Sequence, residues 1–506
     1  MIFVYLIASL VILSCIRSFC KISSQSLPVV TSSVPWIGTV IELFNDALGL
    51  LQRNRERYGS VYTMSIAGHQ VIVVCHREGV VRIMRDAPKC LTNSFNTRML
   101  EAVGGVKSNT ITHVLFGKLS GLITRSFSTR AISKLAPAYT QRVVEEMMSL
   151  VKGQTRQPIH LSQFVGECLY RAVSSMLFGP RFPLDTYADF MCVDSQIPRL
   201  LSPILFPPRQ ATRARKNLKK KLGAFIHDCW DDIHGLPDAA LAGTAIIRTL
   251  REAALPPCDE QGVLLAFLLG LHANSLRVTT WFLAFLLSDQ VALSRIREEI
   301  DHVIDTEFGS LDALFSSPVQ SLGKENFPLL DSALKETMRL SVPPVFMRAV
   351  KVETNFPIDD ATNITVKRGQ YLVADGCSLN MGHDIFEDSN EFRYDRFVQF
   401  DSHEDAEKHT HLPVSPFGGG IHACKGQDFA VYEMKVFAIV CLRLLNVTAE
   451  TSTGTSMHQV HPKANTSIPT PVMYLEDGIF VRVSKHVDCM YLNDSIINRI
   501  FFDLPI

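Results

Sequence analysis

Apolar residues recur at helical spacing through most of the middle of this chain. The stretches 139–152, 161–178, 214–232, 261–288 and 290–304 each return an apolar side chain every three to four positions, which predicts long helices. A last long helix is expected over 427–446. Two regions carry a different pattern. Residues 58–75, YGSVYTMSIAGHQVIVVC, set β-branched and aromatic residues around Gly68-His69, as a hairpin does. Strand signals return over 347–374, where MRAVKVETNFPI and ATNITVKRGQYLVA are separated by Asp359-Asp360. The expected architecture is mainly α, with a smaller β region fed by both ends of the chain.

The start is apolar without periodicity. Residues 1–16, MIFVYLIASLVILSCI, carry no charge, and Arg17 and Lys21 follow at once. A cleaved leader places its positive charge before the apolar run; here the order is reversed. The expectation is therefore an uncleaved, single-pass membrane anchor over 1–20, with the basic residues holding the remainder on the cytoplasmic side of the endoplasmic reticulum. SLPVVTSSVPWIG (26–38) lies in a Pro-containing tether over 21–44, and 45–506 forms one catalytic domain, since no linker rich in Gly, Ser or Pro divides it.

Charge narrows the partners. Fifty basic residues balance fifty acidic ones, so no global field recruits nucleic acid. One local exception is RLLSPILFPPRQATRARKNLKKK (199–221), where an apolar segment precedes Arg213, Arg215, Lys216, Lys219, Lys220 and Lys221. It is read as a lipid contact, with Ile204, Leu205 and Phe206 dipping in and the cations meeting headgroups; a solvated helix face is the alternative. The twelve cysteines are scattered and form no CxxC pair, which argues against a disulfide framework or a zinc ribbon. Asn363, Asn446, Asn465 and Asn493 begin Asn-x-Ser/Thr sites that stay bare on the cytoplasmic side.

Candidate chemistry concentrates in PFGGGIHACKG (416–426), which surrounds Cys424 with four glycines, an aromatic ring and a histidine. A thiolate that ligates a metal beneath a flat cofactor needs a permissive backbone and donors toward sulfur. Gly418, Gly419 and Gly420 supply the first, and the helix starting at 427 supplies part of the second through its N-terminal amides. The stretch resembles the haem-binding loop of the cytochrome P450 family, Phe-x-x-Gly-x-x-x-Cys-x-Gly, matched by Phe417, Gly420, Cys424 and Gly426. His422 stands where the family has a basic residue for a haem propionate, and Lys425 departs from the apolar residue usual after the cysteine.

Further residues extend the resemblance over about 45–500. LLDSALKETMRL (329–340) looks like the family's Glu-x-x-Arg helix, placing Glu336 and Arg339 on one face about 85 residues upstream of Cys424. EFRYDRF (391–397) is similar to the segment that adds a third charge, here Arg396. The likeness implies a buried Glu336–Arg339–Arg396 network, and a propionate partner in Arg348. The family's helical Trp-x-x-x-Arg is absent, leaving Lys118 as a stand-in. In the distal helix the family's acid is replaced by Asn274, beside Ser275; His272 is read as a packed core residue. The Asn resembles the branch of sterol 7α-hydroxylases and prostacyclin synthase.

The resemblance implies a cytochrome P450 fold holding haem b on Cys424, with Asn274 and Ser275 ordering protons for O–O cleavage. It implies a monooxygenase acting on a lipophilic small molecule with O2, in specialised-metabolite biosynthesis of terpenoid, steroid or polyketide type. No flavin or nucleotide motif is present, so electrons come from NADPH through a separate cytochrome P450 reductase, docking near Lys425 and Lys435. The alternatives are a haem-thiolate isomerase or dehydratase needing no reductase, and a non-catalytic haem sensor.

Overall fold

A computed structural model describes residues 27–31, 38–85, 90–92, 94–153, 157–201, 208–228, 241–383, 385–398, 414–451, 461–465, 471–476 and 478–486. The expected anchor over 1–20, much of the tether, and Ile204, Leu205 and Phe206 lie outside these residues.

In chain order the elements used below are α1 (Val40–Tyr58), β1 (Val61–Ile66), β2 (His69–Val74), α2 (Arg77–Arg85), β3 (Leu91–Thr92), α3 (Ser94–Gly104), α4 (Thr129–Gly153), α5 (Leu161–Phe178), α6 (Tyr187–Ser195) and α7 (Arg209–Asp228). There follow α8 (Pro257–Ser288), α9 (Gln290–Val303), α10 (Pro328–Ser341), β4 (Val345–Val350), β5 (Tyr371–Asp375), α11 (Gln427–Leu444), β6 (Leu445–Glu450) and β7 (Phe480–Lys485). The helical starts and stops have local causes. Asp289 breaks α8 from α9 because its carboxylate accepts the Val291 and Ala292 amides, both at 3.0 Å. Pro328 opens α10 at a position where its missing N–H costs nothing, and Pro343-Pro344 follow its end.

α8 runs for 32 residues and is apolar on nearly every side. Among the described residues it is the helix long and apolar enough to cross a bilayer, yet 83% of its most apolar window is buried in protein. An all-round apolar helix is stable in the middle of a core, and α5, α7, α10 and α11 pack about it. Its middle opens at Gly270 and Asn274, four residues apart and hence on one face. At the other end of α8, Gly262 meets Gly104 of α3 backbone to backbone: a Cβ on Gly104 would lie 2.5 Å from the Gly262 carbonyl oxygen, and one on Gly262 would lie 2.4 Å from that of Gly104.

The main sheet has the order β1-β2-β5-β4-β3. β1 and β2 form the expected hairpin, but it turns at Ala67-Gly68, both at positive φ, one residue earlier than the pattern suggested. β2 lies parallel to β5, and β4 is antiparallel to both β5 and β3. Asp359 shapes the later hairpin, Thr354–Pro357 with Asn363–Val366, by accepting the Ala361 and Thr362 amides. The strands near the C-terminus do not join the main sheet: β7 is the central strand of a separate sheet, antiparallel to β6 on one side and to Ile159–His160 on the other. The described strands thus form four sheets, and the five-stranded one, built from 61–92 and 345–375, stands against the cysteine loop.

The basic stretch on α7 is divided by its contacts. Arg215 donates to the Ala102 carbonyl at 2.6 Å and Lys219 to that of Gly104 at 2.9 Å, so both close the C-terminal end of α3. Lys221 pairs with Asp185. These three cations are committed to protein, which leaves Arg213, Lys216 and Lys220 on the exposed face.

Candidate active site

The loop from Val414 to Gly426 is folded tightly against α2. Gly418 and Gly420 adopt φ +75° and +60°, and a Cβ at Gly420 would come within 2.9–3.1 Å of the backbone of Met84 and Arg85. Only glycine meets both demands there. The Cys424 amide donates to the Phe417 carbonyl at 2.9 Å, closing the loop beneath the sulfur. α11 begins three residues later. Cys424 is solvent-accessible, yet protein surrounds it closely enough that burial raises its thiol pKa; the Gly426 amide and Lys425 pull it down, while Glu433 and Asp428 oppose them. A Cβ at Gly426 would touch nothing, so that glycine leaves an open approach beside the sulfur.

Arg348 lies on β4, 5% exposed, with its Nη1 donating to the Met347 carbonyl at 3.1 Å and its Nε buried without a partner. It is close enough to His422 for its charge, after burial and before Lys425, to push the histidine pKa down. Lys118 is exposed on a π-helical stretch, Ile111–Leu119, and no described contact joins it to Arg348 or His422. π-helical turns are rare and gather at functional sites.

Glu336, Arg339 and Arg396 are brought together and nearly saturated. Glu336 receives Arg339 through two hydrogen bonds of 2.7 and 2.8 Å and Arg396 through one of 2.8 Å. The remaining donors of both arginines reach carbonyls of Asn380, Glu387, Asp388, Ser389 and Glu391, and the Phe386 ring lies under both guanidiniums.

On the distal side, Asn274 is exposed and Ser275 is buried, with its hydroxyl donating to the His272 carbonyl at 3.4 Å. His272 is a core residue: its Nε2 lies 3.0 Å from the Ser174 hydroxyl, its ring packs on Tyr170, and burial lowers its pKa to about 3.

Sequence reasoning missed Glu433 on α11. It is 1% exposed, and burial raises its carboxyl to about 8, opposed only by the Ser275 hydroxyl beside it; Oε1 has no partner. It sits nine residues after Cys424, one to two turns into an apolar helix, where a carboxylate between Tyr432 and Met434 is conspicuous in the pattern. Lys435 corrects an expectation. It is 5% exposed, bonded to Asp331 at 2.7 Å and to the Leu322 carbonyl at 2.8 Å, and offers no surface to a docking partner. The helix period turned it inward.

The sequence matches the family described as Cytochrome P450 over residues 28–244 and 258–473, and the chain belongs to that family. Among curated relatives, the 5-beta-cholestane-3-alpha,7-alpha-diol 12-alpha-hydroxylase of Sus scrofa is 24% identical over 439 residues, covering 82% of this chain and 84% of that one. The prostacyclin synthase of Bos taurus is 24% identical over 450 residues, covering 82% and 86%. The crystal structure of cytochrome P450DA heme domain superposes with a TM-score of 0.68 at 16% identity, covering 91% of this chain and 98% of that one, and shares the fold. The chain is a cytochrome P450 monooxygenase, and its class carries haem with a cysteine thiolate as axial ligand. The residues present fit that group. A buried arginine with an orphaned Nε suits a carboxylate such as a propionate, and an accessible sulfur receiving an amide suits a thiolate ligand.

Proposed function

We propose that this protein is a membrane-anchored monooxygenase that hydroxylates a lipophilic small molecule, drawing electrons from NADPH through a separate cytochrome P450 reductase. In this reading 1–20 anchors it in the endoplasmic reticulum, 21–44 is the tether, and 45–506 works on the cytoplasmic face. The substrate is a terpenoid, steroid or polyketide of specialised metabolism. The observation that carries the reading is Cys424: an accessible sulfur on a loop closed by Phe417 and Gly420, with the Gly426 amide directed at it.

Cys424 would hold the iron, and the bound haem supplies activation of O2. Arg348 holds one propionate as a fixed cation. His422 would donate a ring N–H to a propionate, with Lys118 as a further partner. Phe417 covers the sulfur side. On the other side the Asn274 amide orders water, because an amide both donates and accepts, and Ser275 relays a proton through its hydroxyl. Lys425, exposed beside the loop, faces the electron donor.

The test is the carbon monoxide spectrum of the dithionite-reduced protein beside that of Cys424→Ser. A red-shifted Soret band that disappears in the variant is expected; its absence from haem-loaded, folded protein overturns the assignment. A second reading is favoured by Asn274, which cannot act as an acid, and by the similarity to prostacyclin synthase: an isomerase that needs no reductase. Product formation without NADPH and reductase would establish it. NADPH consumption that no ligand couples to product would point to a haem sensor.

A further inference from the structure

A cavity of about 560 Å³ lies between α5, α6, the start of α7, α8 and the segment around Tyr474, and none of the residues assigned above to the haem or to proton delivery lines it. Position on α8 separates the two spaces. At 3.6 residues per turn, Leu276 and Thr280 point roughly 100–140° around the helix from the open face of Gly270 and Asn274, and Arg277 lies between that face and theirs. The volume is that of a small-molecule site.

Its chemistry centres on Arg277, which is 7% exposed. Among the described residues only Nη2 of its guanidinium is hydrogen-bonded, to Asp194 and to the Tyr474 hydroxyl, and the ring of Tyr474 lies 4.1 Å from its central carbon. Tyr474 in turn donates to Asp194 at 2.6 Å. The guanidinium is therefore held in one orientation, while Nε is buried without a partner and Nη1 makes no hydrogen bond to a described residue. A buried donor left unpaired is destabilising, and an acceptor in the cavity would relieve it. Arg199, exposed at the rim, adds a second cation with no ion pair among the described residues. Among the described residues no Asp, Glu or His lines the cavity. Counting Asp194 behind Arg277, the balance is one positive charge. Met191, Leu276 and Leu475 supply apolar wall.

We propose that this cavity is a second ligand site, separate from the chamber faced by Asn274, for a monoanionic amphiphile whose carboxylate lies between Arg277 Nη1 and Arg199 and whose apolar chain runs along Met191, Leu276 and Leu475. Carboxylate geometry matches a guanidinium, and a single compensating charge matches the single excess cation.

Cys192 lines the cavity and reports on it directly; Cys258, exposed elsewhere, serves as control. Haem-loaded full-length protein is treated with N-ethylmaleimide in the presence of dodecanoate, dodecanol or dodecyltrimethylammonium, and labelling is followed peptide by peptide while the Soret band reports occupancy near the haem. Dodecanoate is expected to slow Cys192 labelling at least tenfold, with Cys258 unchanged and with a midpoint distinct from that of any Soret shift. Dodecanol and the cationic amphiphile should protect far less. Arg199→Gln, at an exposed position, should raise the protecting concentration of dodecanoate about tenfold and leave the Soret response in place. Equal protection by all three amphiphiles, no protection, a midpoint shared with the Soret shift, or indifference to Arg199→Gln each overturns the proposal.

Discussion

Two buried polar regions of this protein are built on opposite terms. Around α10, Glu336, Arg339 and Arg396 spend nearly every donor and acceptor on one another and on five backbone carbonyls. Around α8 the polar atoms are left open: Glu433 Oε1, Arg277 Nε and Asp194 Oδ1 are all buried without partners. A saturated cluster has one low-energy arrangement and serves architecture. An unsaturated one keeps unspent hydrogen-bonding capacity, which a proton, water or ligand can take up. The contrast separates the part of the molecule that must not move from the part that must respond.

The sharpest way to break this contrast is Glu336→Gln. It strands two buried guanidiniums, and a loss of about 3–5 kcal/mol in urea unfolding is expected; a loss below about 1 kcal/mol would show that the cluster is not saturated in the sense argued. Glu433→Gln should behave oppositely. The folded carboxyl titrates near 8, well above an unfolded glutamic acid, so between about pH 5 and pH 8 the folded state binds the extra proton and stability falls as pH rises. Wild-type protein should lose on the order of 3 kcal/mol relative to the variant across that window, as read by unfolding at pH 5, 6, 7 and 8. A parallel pH dependence in the two proteins would place the carboxylate in water.

Lys435→Met lies between the extremes. Asp331 retains Lys335 at 2.8 Å, so a cost of about 2 kcal/mol is expected from the broken bonds to Asp331 and Leu322. The KM for reductase should be unchanged, whereas Lys425→Glu should raise it. A raised KM in the Lys435 variant with unaltered stability would return that lysine to the surface. The smallest effect is expected for His272→Gln: under about 1.5 kcal/mol in stability and no displacement of the Soret band, since the ring packs away from the cysteine loop. A shifted band would move His272 into the site.

The long helices and the cysteine loop were legible because each rests on local information. The helices over 161–178, 261–288 and 290–304 agree with the structure to within a few residues, since an apolar period of 3.6 is written along the chain. The loop was legible because glycine spacing around Cys424 reflects backbone demands that only a few residues meet. What was not legible depends on partners far away in sequence. Lys435 reads as a surface cation until Asp331 is placed beside it, 104 positions away. Arg215 and Lys219 read as lipid contacts until the end of α3 arrives, 113 and 115 positions away. Glu433 differs again: its carboxylate between apolar positions of the helix was visible in the pattern, but its neighbour Ser275 was not.

The crossing of α3 and α8 at Gly104 and Gly262 acts mechanically as a lever pivoting on bare backbone. Side chains at a helix crossing can change rotamer and absorb a substitution; two peptide planes in contact have no such compliance. A single methyl at either glycine therefore displaces a whole helix. α3 also reaches β4, the strand that carries Arg348, so the displacement is delivered to the arginine beside His422. A change of one carbon atom far from Cys424 is thereby converted into motion at the opposite end of the lever.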